Sequence, residues 1–267
     1  MHSTFKLYLH YIKISIRSQM QYKASFIIMA IGNFIIVGIE FLTILALFAR
    51  FGNLRGWSMP EVALLYGIAD VSFSVVEAFA RGFDTFPEMV KSGDFDRFLL
   101  RPRSTTLQVI GRDMPLMRSG RFLQGLIVLI WGVTALTIKW TAIKTAILLS
   151  AIAGGFCIFS GIFILQATLS FWTIESLEIV NTVTYGGVEA TRYPLSIYRT
   201  WFQRFFTFII PLAAINYFPV LAILGRSDTL GLPGVFHYTS PIIGLAFLLI
   251  SLRIWRFGVR HYCSTGS

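Results

Sequence analysis

Apolar residues run in long blocks along this chain, and polar residues collect between the blocks. A helix needs about 20 mostly apolar residues to cross a hydrocarbon core of about 30 Å. Six blocks approach that length: residues 24–48, 61–80, 122–138, 146–171, 205–224 and 235–255. Lipid offers the backbone no hydrogen-bond partner, so only helices and closed barrels span it, and runs this long are helical. The pattern predicts an all-α, polytopic membrane protein with six transmembrane helices in a single domain, 1–267. The first block exceeds a signal-peptide core of roughly 7–15 residues and lacks a small-residue cleavage site after it, so it reads as a retained span.

The intervals between blocks differ in character. Within 1–23, Phe5, Tyr8, Leu9, Ile12 and Ile16 recur at helical spacing, with Lys6, Lys13 and Arg17 mostly elsewhere on the wheel. This predicts an amphipathic helix lying in the headgroup region. The loop 49–60 is short and holds Trp57, expected at the membrane interface. The interval 81–121 contains KSGDFDRFLLRPRS (91–104), with two Asp, three Arg and a Lys. A second amphipathic interval, 173–204, contains Tyr185, Gly186, Gly187 and the triplet Arg192, Tyr193, Pro194. The block 205–224 carries Pro211 and Pro219 around Asn216, and each proline removes a backbone donor. It predicts either a helix that enters, breaks and returns, or a kinked span.

Composition agrees with the blocks. The chain is 55% hydrophobic and 13% charged, with a mean hydropathy of +0.69. Soluble domains carry roughly 25% charged residues, so a soluble fold is excluded. The net charge of +10 would suggest nucleic acid in a soluble protein. Here the basic residues flank the apolar blocks. With six alternating spans, eighteen of the 23 Lys and Arg share a side with the N-terminus, and only Arg50, Arg55, Lys139, Lys144 and Arg226 fall opposite. The positive-inside rule then predicts that both termini are cytoplasmic and that no nucleic acid is bound. Cys157 and Cys263 make neither a disulfide framework nor a metal site.

Candidate chemistry is sparse. No phosphate-binding loop and no zinc-binding His pair occurs, and His2, His10, His237 and His261 lie near the termini or in a loop. No catalytic residue, metal site or cofactor of the chain's own is expected. Asp94 and Asp96 could hold Mg²⁺ against a phosphate, but Arg97, Arg101 and Arg103 follow at once and can neutralise them. Asp70 and Glu77 are costly inside a span and share one helix face. With Asn216, they are candidates for lining a substrate path or for packing between helices. Glu77 is also placed to pair with Arg81. Glu40, towards the outer end of the first block, could reach the interface. Ala151, Gly154, Gly155, Cys157, Ser160, Gly161 and Ala167 form a small-residue surface that lets another helix approach closely.

Three stretches carry a resemblance: SGDFDRFLLRP (92–102), RYPLSIY (192–198) and IIPLAAINYFP (209–219). Together they resemble the permease subunits of ABC-2-type transporters, in the bacterial six-span branch encoded beside a separate ATPase. The resemblance covers nearly the whole chain. It implies an amphipathic connecting helix, a coupling helix at 84–103 that docks on an ABC-type ATPase, and a re-entrant segment after the fifth span. It also implies a second permease chain, identical or sister, with ATP and Mg bound by the ATPase, and export across the bacterial inner membrane. The residues of 84–103 fit docking on their own terms. Phe86, Met89, Phe95 and Phe98 offer an apolar anchor, ringed by Asp94, Asp96, Arg97 and Arg101. A lipid-modifying enzyme using Asp94 and Asp96, and an ATP-independent channel or scaffold, are the competing expectations.

Overall fold

The computed structural model describes residues 2–112, 119–173 and 177–264, with side chains described at 6, 8–112, 120–173 and 184–264. Arg118 and the side chain of Phe5 lie outside these. The described residues form twelve α-helices. Helix α1 (His2–Gln19) passes through a 3₁₀ turn at Met20–Tyr22 into α2 (Lys23–Phe51). Tight turns in positive-φ backbone at Gly52, Arg55 and Gly56 lead to α3 (Met59–Phe79). Its start is fixed by a capping box between Ser58 and Glu61, with Pro60 in the first turn. Three short helices follow: α4 (Phe86–Lys91), α5 (Asp94–Leu99) and α6 (Thr105–Ile110). The bundle continues with α7 (Ser119–Ala135), α8 (Ala142–Leu169), α9 (Leu177–Thr191), α10 (Thr200–Phe208), α11 (Tyr217–Leu224) and α12 (Ser240–Arg260). Among the described residues four helical stretches are long and apolar enough to cross a membrane, and α7 is a shorter apolar helix.

Glycines set the closest packing. A Cβ at Gly244 on α12 would sit 2.6 Å from the carbonyl oxygen of Gly154 on α8. One at Gly161 would meet Phe247 and Ser251 of α12. The small-residue surface of α8 is thus the seam against α12. On α3, Gly67 lies against the backbone of Leu129 on α7. Ser72 of α3 donates to Ile68 O at 2.7 Å and to Ile152 O of α8 at 3.2 Å, tying the two helices where Gly155 makes room.

The structure sharpens three of the sequence expectations. The block 205–224 is not one straight helix. Its two halves, α10 and the stretch 212–224, meet at a bend of 76°, because Pro211 leaves a backbone donor missing where the helix would continue. Nor does the interval 173–204 stay at the end of the bundle opposite Trp57. Trp57 Nε1 donates to Ser196 Oγ at 3.0 Å, and Arg226 Nη1 donates to Gly56 O at 3.3 Å. The chain therefore reaches the 49–58 turns both before α10 and after α11. Helix α9 runs between the α4–α6 end and these turns, and α10 and α11 lie on either side of the bend. Residues 211–221 are all buried, which gives their irregular backbone protein neighbours. Trp57 is itself only 4% exposed, packed under Arg226, so it is an interior residue and not an interface anchor.

The seam predicts opposite outcomes for one substitution at two helical glycines. Gly38 on α2 has nothing within 4 Å of its would-be Cβ. Gly38→Ala should leave stability unchanged or raise it by up to ~1 kcal/mol. Gly244→Ala should cost ~1–3 kcal/mol, because the backbone it meets cannot move aside. Thermal unfolding of the purified protein in detergent checks the two signs.

Candidate functional site

The bundle is organised around one buried cation. The side chain of Arg192, just past the end of α9, is 2% exposed. Its Nε and Nη2 donate to the two carboxylate oxygens of Asp70 at 3.1 and 3.0 Å, a bidentate fork. Its Nη1 lies 2.7 Å from Glu40 of α2 and 2.7 Å from Glu189 of α9. The ring of Tyr66 covers the guanidinium, 4.9 Å from its carbon. Three carboxylates thus meet one guanidinium. Asp70 is fully buried, whereas the side chains of Glu40 and Glu189 keep 37% and 55% exposure. Beside them, Asn216 donates to Leu65 O at 2.9 Å and to Thr191 O at 2.5 Å, fastening the start of α11 to α3 and to the end of α9.

Helix α9 is held at its other end too. Tyr185, seven residues and two turns before Arg192, donates to Asp84 Oδ2 at 2.9 Å. Gln166 of α8 donates to Asp84 Oδ1 at 3.2 Å and accepts from Thr184 at 2.9 Å. Arg81 lies 3.4 Å from Asp84 and 3.8 Å from Glu77, and Arg121 of α7 lies 3.5 Å from Glu77. So Asp70 and Asn216 come together at Arg192, and Glu77 belongs to this second, separate network. All three are satisfied by partners within the chain. Glu40 turns to Arg192 and not to the interface.

Residues 84–103 form a platform whose apolar anchor faces inward. Phe86, Met89 and Phe95 are 0% exposed. Phe86 and Phe95 pack edge-to-face with each other and against Phe171 and Trp255, and Phe95 also meets Tyr262. These three residues therefore cannot touch a docked protein; they fix the platform to α8 and α12. Burial there pushes the Tyr262 phenol above its ordinary range. What remains outside is Leu100, 86% exposed, with Leu99, Arg97, Arg101 and Arg103, while Phe98 is half-buried under Arg101. Asp94 lies 3.8 Å from Arg97 and 3.7 Å from Arg112, and Asp96 accepts from Ser264 at 2.6 Å. Each acid of the D-x-D already has a protein partner. No group of three or more His, Cys, Asp or Glu stands at metal-binding geometry among the described residues.

Sequence reasoning missed Arg192, Glu189, Asp84 and Tyr185 as site residues. The available signal was spacing: Asp70, Glu77 and Asp84 repeat every seven residues, as do Tyr185 and Arg192. Arg192→Leu and Asp70→Leu should each destabilise the protein by ~3–5 kcal/mol, since each strands a buried charge. The double variant should cost clearly less than the sum, by at least ~1 kcal/mol. Thermal unfolding of the three variants measures the difference, and additive costs would refute the pairing.

Comparison with curated proteins and with solved structures returns no match. A family model described as "ABC-2 family transporter protein" matches residues 34–266, which take in Glu40, Asp70, Arg192, the platform and the bent pair α10–α11. The chain belongs to the ABC-2 transporter family, as the membrane-embedded, non-catalytic component of a transporter.

Proposed function

We propose that this integral membrane protein is the permease of an ATP-driven exporter, docked through its α4–α6 platform onto a separate ABC-type ATPase. The observation that carries this reading is the platform. It is fixed to the bundle by a buried aromatic cluster, and it presents Leu100, Arg97 and Arg101 to solvent. Arginine is enriched at the energetic centres of interfaces, and the exposed leucine adds apolar area beside it. In this reading α4–α6 and both termini face the cytoplasm, the 49–58 turns face outward, and the spans are α2, α3, α7, α8, α9 and α12. Moving Arg199 and Arg204 to the outer side still leaves the basic excess with the termini, as the positive-inside rule requires. The setting is a bacterial inner membrane, and export is the direction the family resemblance implies.

The two polar networks suggest how work is transmitted. ATPase closure pushes the platform; Asp84, in the link between α3 and α4, is bonded to Tyr185 on α9. Displacement of the platform therefore pulls on α9 directly, and on α3 through the chain itself. The face between α2 and α9 is the proposed substrate path, lying against a second permease chain. Glu40 and Glu189 keep partial exposure near the middle of the bundle, and a carboxylate at that depth is costly against lipid but not against water.

Leu100→Asp combined with Arg101→Glu should weaken ATPase association by roughly thirtyfold, the ~2 kcal/mol of a lost hot spot. Tyr185→Phe should leave the ATPase bound and hydrolysing while transport per ATP falls. Pull-down with parallel transport and hydrolysis assays reads both arms. Unchanged association in the double variant contradicts the platform as the docking site.

A further inference from the structure

The N-terminal part of the chain carries charge of one sign only. Lys6, Lys13, Arg17 and Lys23 all precede Glu40, the first acidic residue. All four are exposed, and none makes an ion pair with another described residue. Helix α1 is pinned by its opposite face. Tyr8, Tyr11, Ile12, Ser15 and Gln19 form a half-buried row at helical spacing. Tyr8 donates to Phe79 O at the end of α3 at 3.4 Å, and a Cβ at Gly111, just past α6, would meet the Tyr11 ring. On the wheel Lys6, Lys13 and Arg17 fall within about 40° of one another, on the far side of α1 from that row. Leu9 and Ile16, 47% and 39% exposed, border the basic row on one side, and exposed Ile14 borders it on the other. A single turn, Met20–Tyr22, joins this helix to α2, which exposes Ile27, Ile28, Ile31 and Ile35. The basic row therefore ends where the lipid-facing surface of a span begins.

We propose that α1 is a binding surface for anionic phospholipid headgroups, which the row Lys6, Lys13 and Arg17 engages while Leu9 and Ile16 enter the acyl boundary. Charge complementarity sets the sign of the occupant, since no acid of α1 or α2 lies near enough in sequence to answer the row. The apolar flanks and the adjoining span set its kind. Basic side chains beside exposed aliphatic ones suit a headgroup layer, where the stems lie in apolar surroundings and the charges meet the headgroups. A second copy is the weaker occupant, because it would bring the same charge to the same row. Headgroups seated here hold α1 against the ends of α3 and α6, at the root of the platform. The proposal rests on the chain's being membrane-spanning and not on its coupling to an ATPase.

The test uses the full-length chain with Cys157→Ser and Cys263→Ser, carrying Ile16→Cys labelled with a fluorophore. It is placed in phosphatidylcholine vesicles with and without phosphatidylglycerol, the acyl chains brominated as quenchers. Phosphatidylglycerol should raise the quenching, and about 1 M salt, which shortens the screening length to about 3 Å, should reverse the gain. Each cation near an anionic surface is worth about fivefold in the ratio of seated to unseated helix. Lys6→Gln, Lys13→Gln and Arg17→Gln together should therefore cut the phosphatidylglycerol effect by at least about tenfold. Lys6→Arg, Lys13→Arg and Arg17→Lys together should preserve it. Ile31→Cys, on the exposed face of α2, is the bilayer reference and should be quenched in both vesicles. Equal quenching at position 16 with and without phosphatidylglycerol, or an unchanged effect in the glutamine variant, would overturn the proposal. So would a response at position 16 to the co-purified ATPase in place of headgroup charge, which would make the row a protein contact. If position 31 also escapes quenching, the spanning reading falls and the proposal falls with it. If the headgroup effect appears while no ATPase associates, the docking reading falls and this surface stands.

Discussion

The rest of the bundle depends on the guanidinium of Arg192. A cation sealed in a protein interior is tolerated only when its hydrogen bonds and its charge are both answered. Asp70 answers with a bidentate fork, Glu40 adds one contact and Glu189 two, and Tyr66 covers the face. These partners come from α2, α3 and α9. The fork has fixed geometry, so the network constrains the relative position of the three helices more strictly than apolar packing does. Apolar contacts tolerate sliding; a forked pair does not.

The network also makes α9 a strut. One end is tied to Asp70 through Arg192 and the other to Asp84 through Tyr185. Asn216, at the start of α11, binds the same end of α9 and α3. The platform below is welded to α8 and α12 by Phe86, Phe95, Phe171 and Trp255. A force applied at the platform therefore has two rigid routes into the bundle. One runs through aromatic packing and the other through the hydrogen bonds of Asp84. The glycine seam between α8 and α12 keeps the first route stiff.

Much of this was legible in the pattern of apolar blocks. Helices α2, α3, α7, α8 and α12 follow from long hydrophobic runs, interrupted in α3 by Asp70 and Glu77, and the seam on α8 from its small residues. The proline pair at 211 and 219 marked irregular backbone. Helix α9 was not legible, for a physical reason. It carries Asn181, Thr184, Tyr185, two glycines and Glu189, and several of these spend their polarity on partners inside the protein. A hydropathy window scores such a helix as an exposed loop. The same blind spot misread the platform. Phe86, Met89 and Phe95 looked like a docking anchor because an amphipathic segment does not reveal whether its apolar face meets its own chain or another's. Burial against Trp255, some 160 residues away, could be seen only in the fold.

The proposed orientation turns on α9 crossing the bilayer, and residue 199 distinguishes it from the reading that keeps 173–204 cytoplasmic. Arg199 is exposed and lies between Ser196, bonded to Trp57, and the start of α10. In a background with Cys157 and Cys263 replaced by serine, Arg199→Cys would be labelled in intact cells with a membrane-impermeant maleimide, with Arg103→Cys as the cytoplasmic control. The account predicts that position 199 reacts from outside while position 103 reacts only after permeabilisation. Labelling of 199 only after permeabilisation would contradict it.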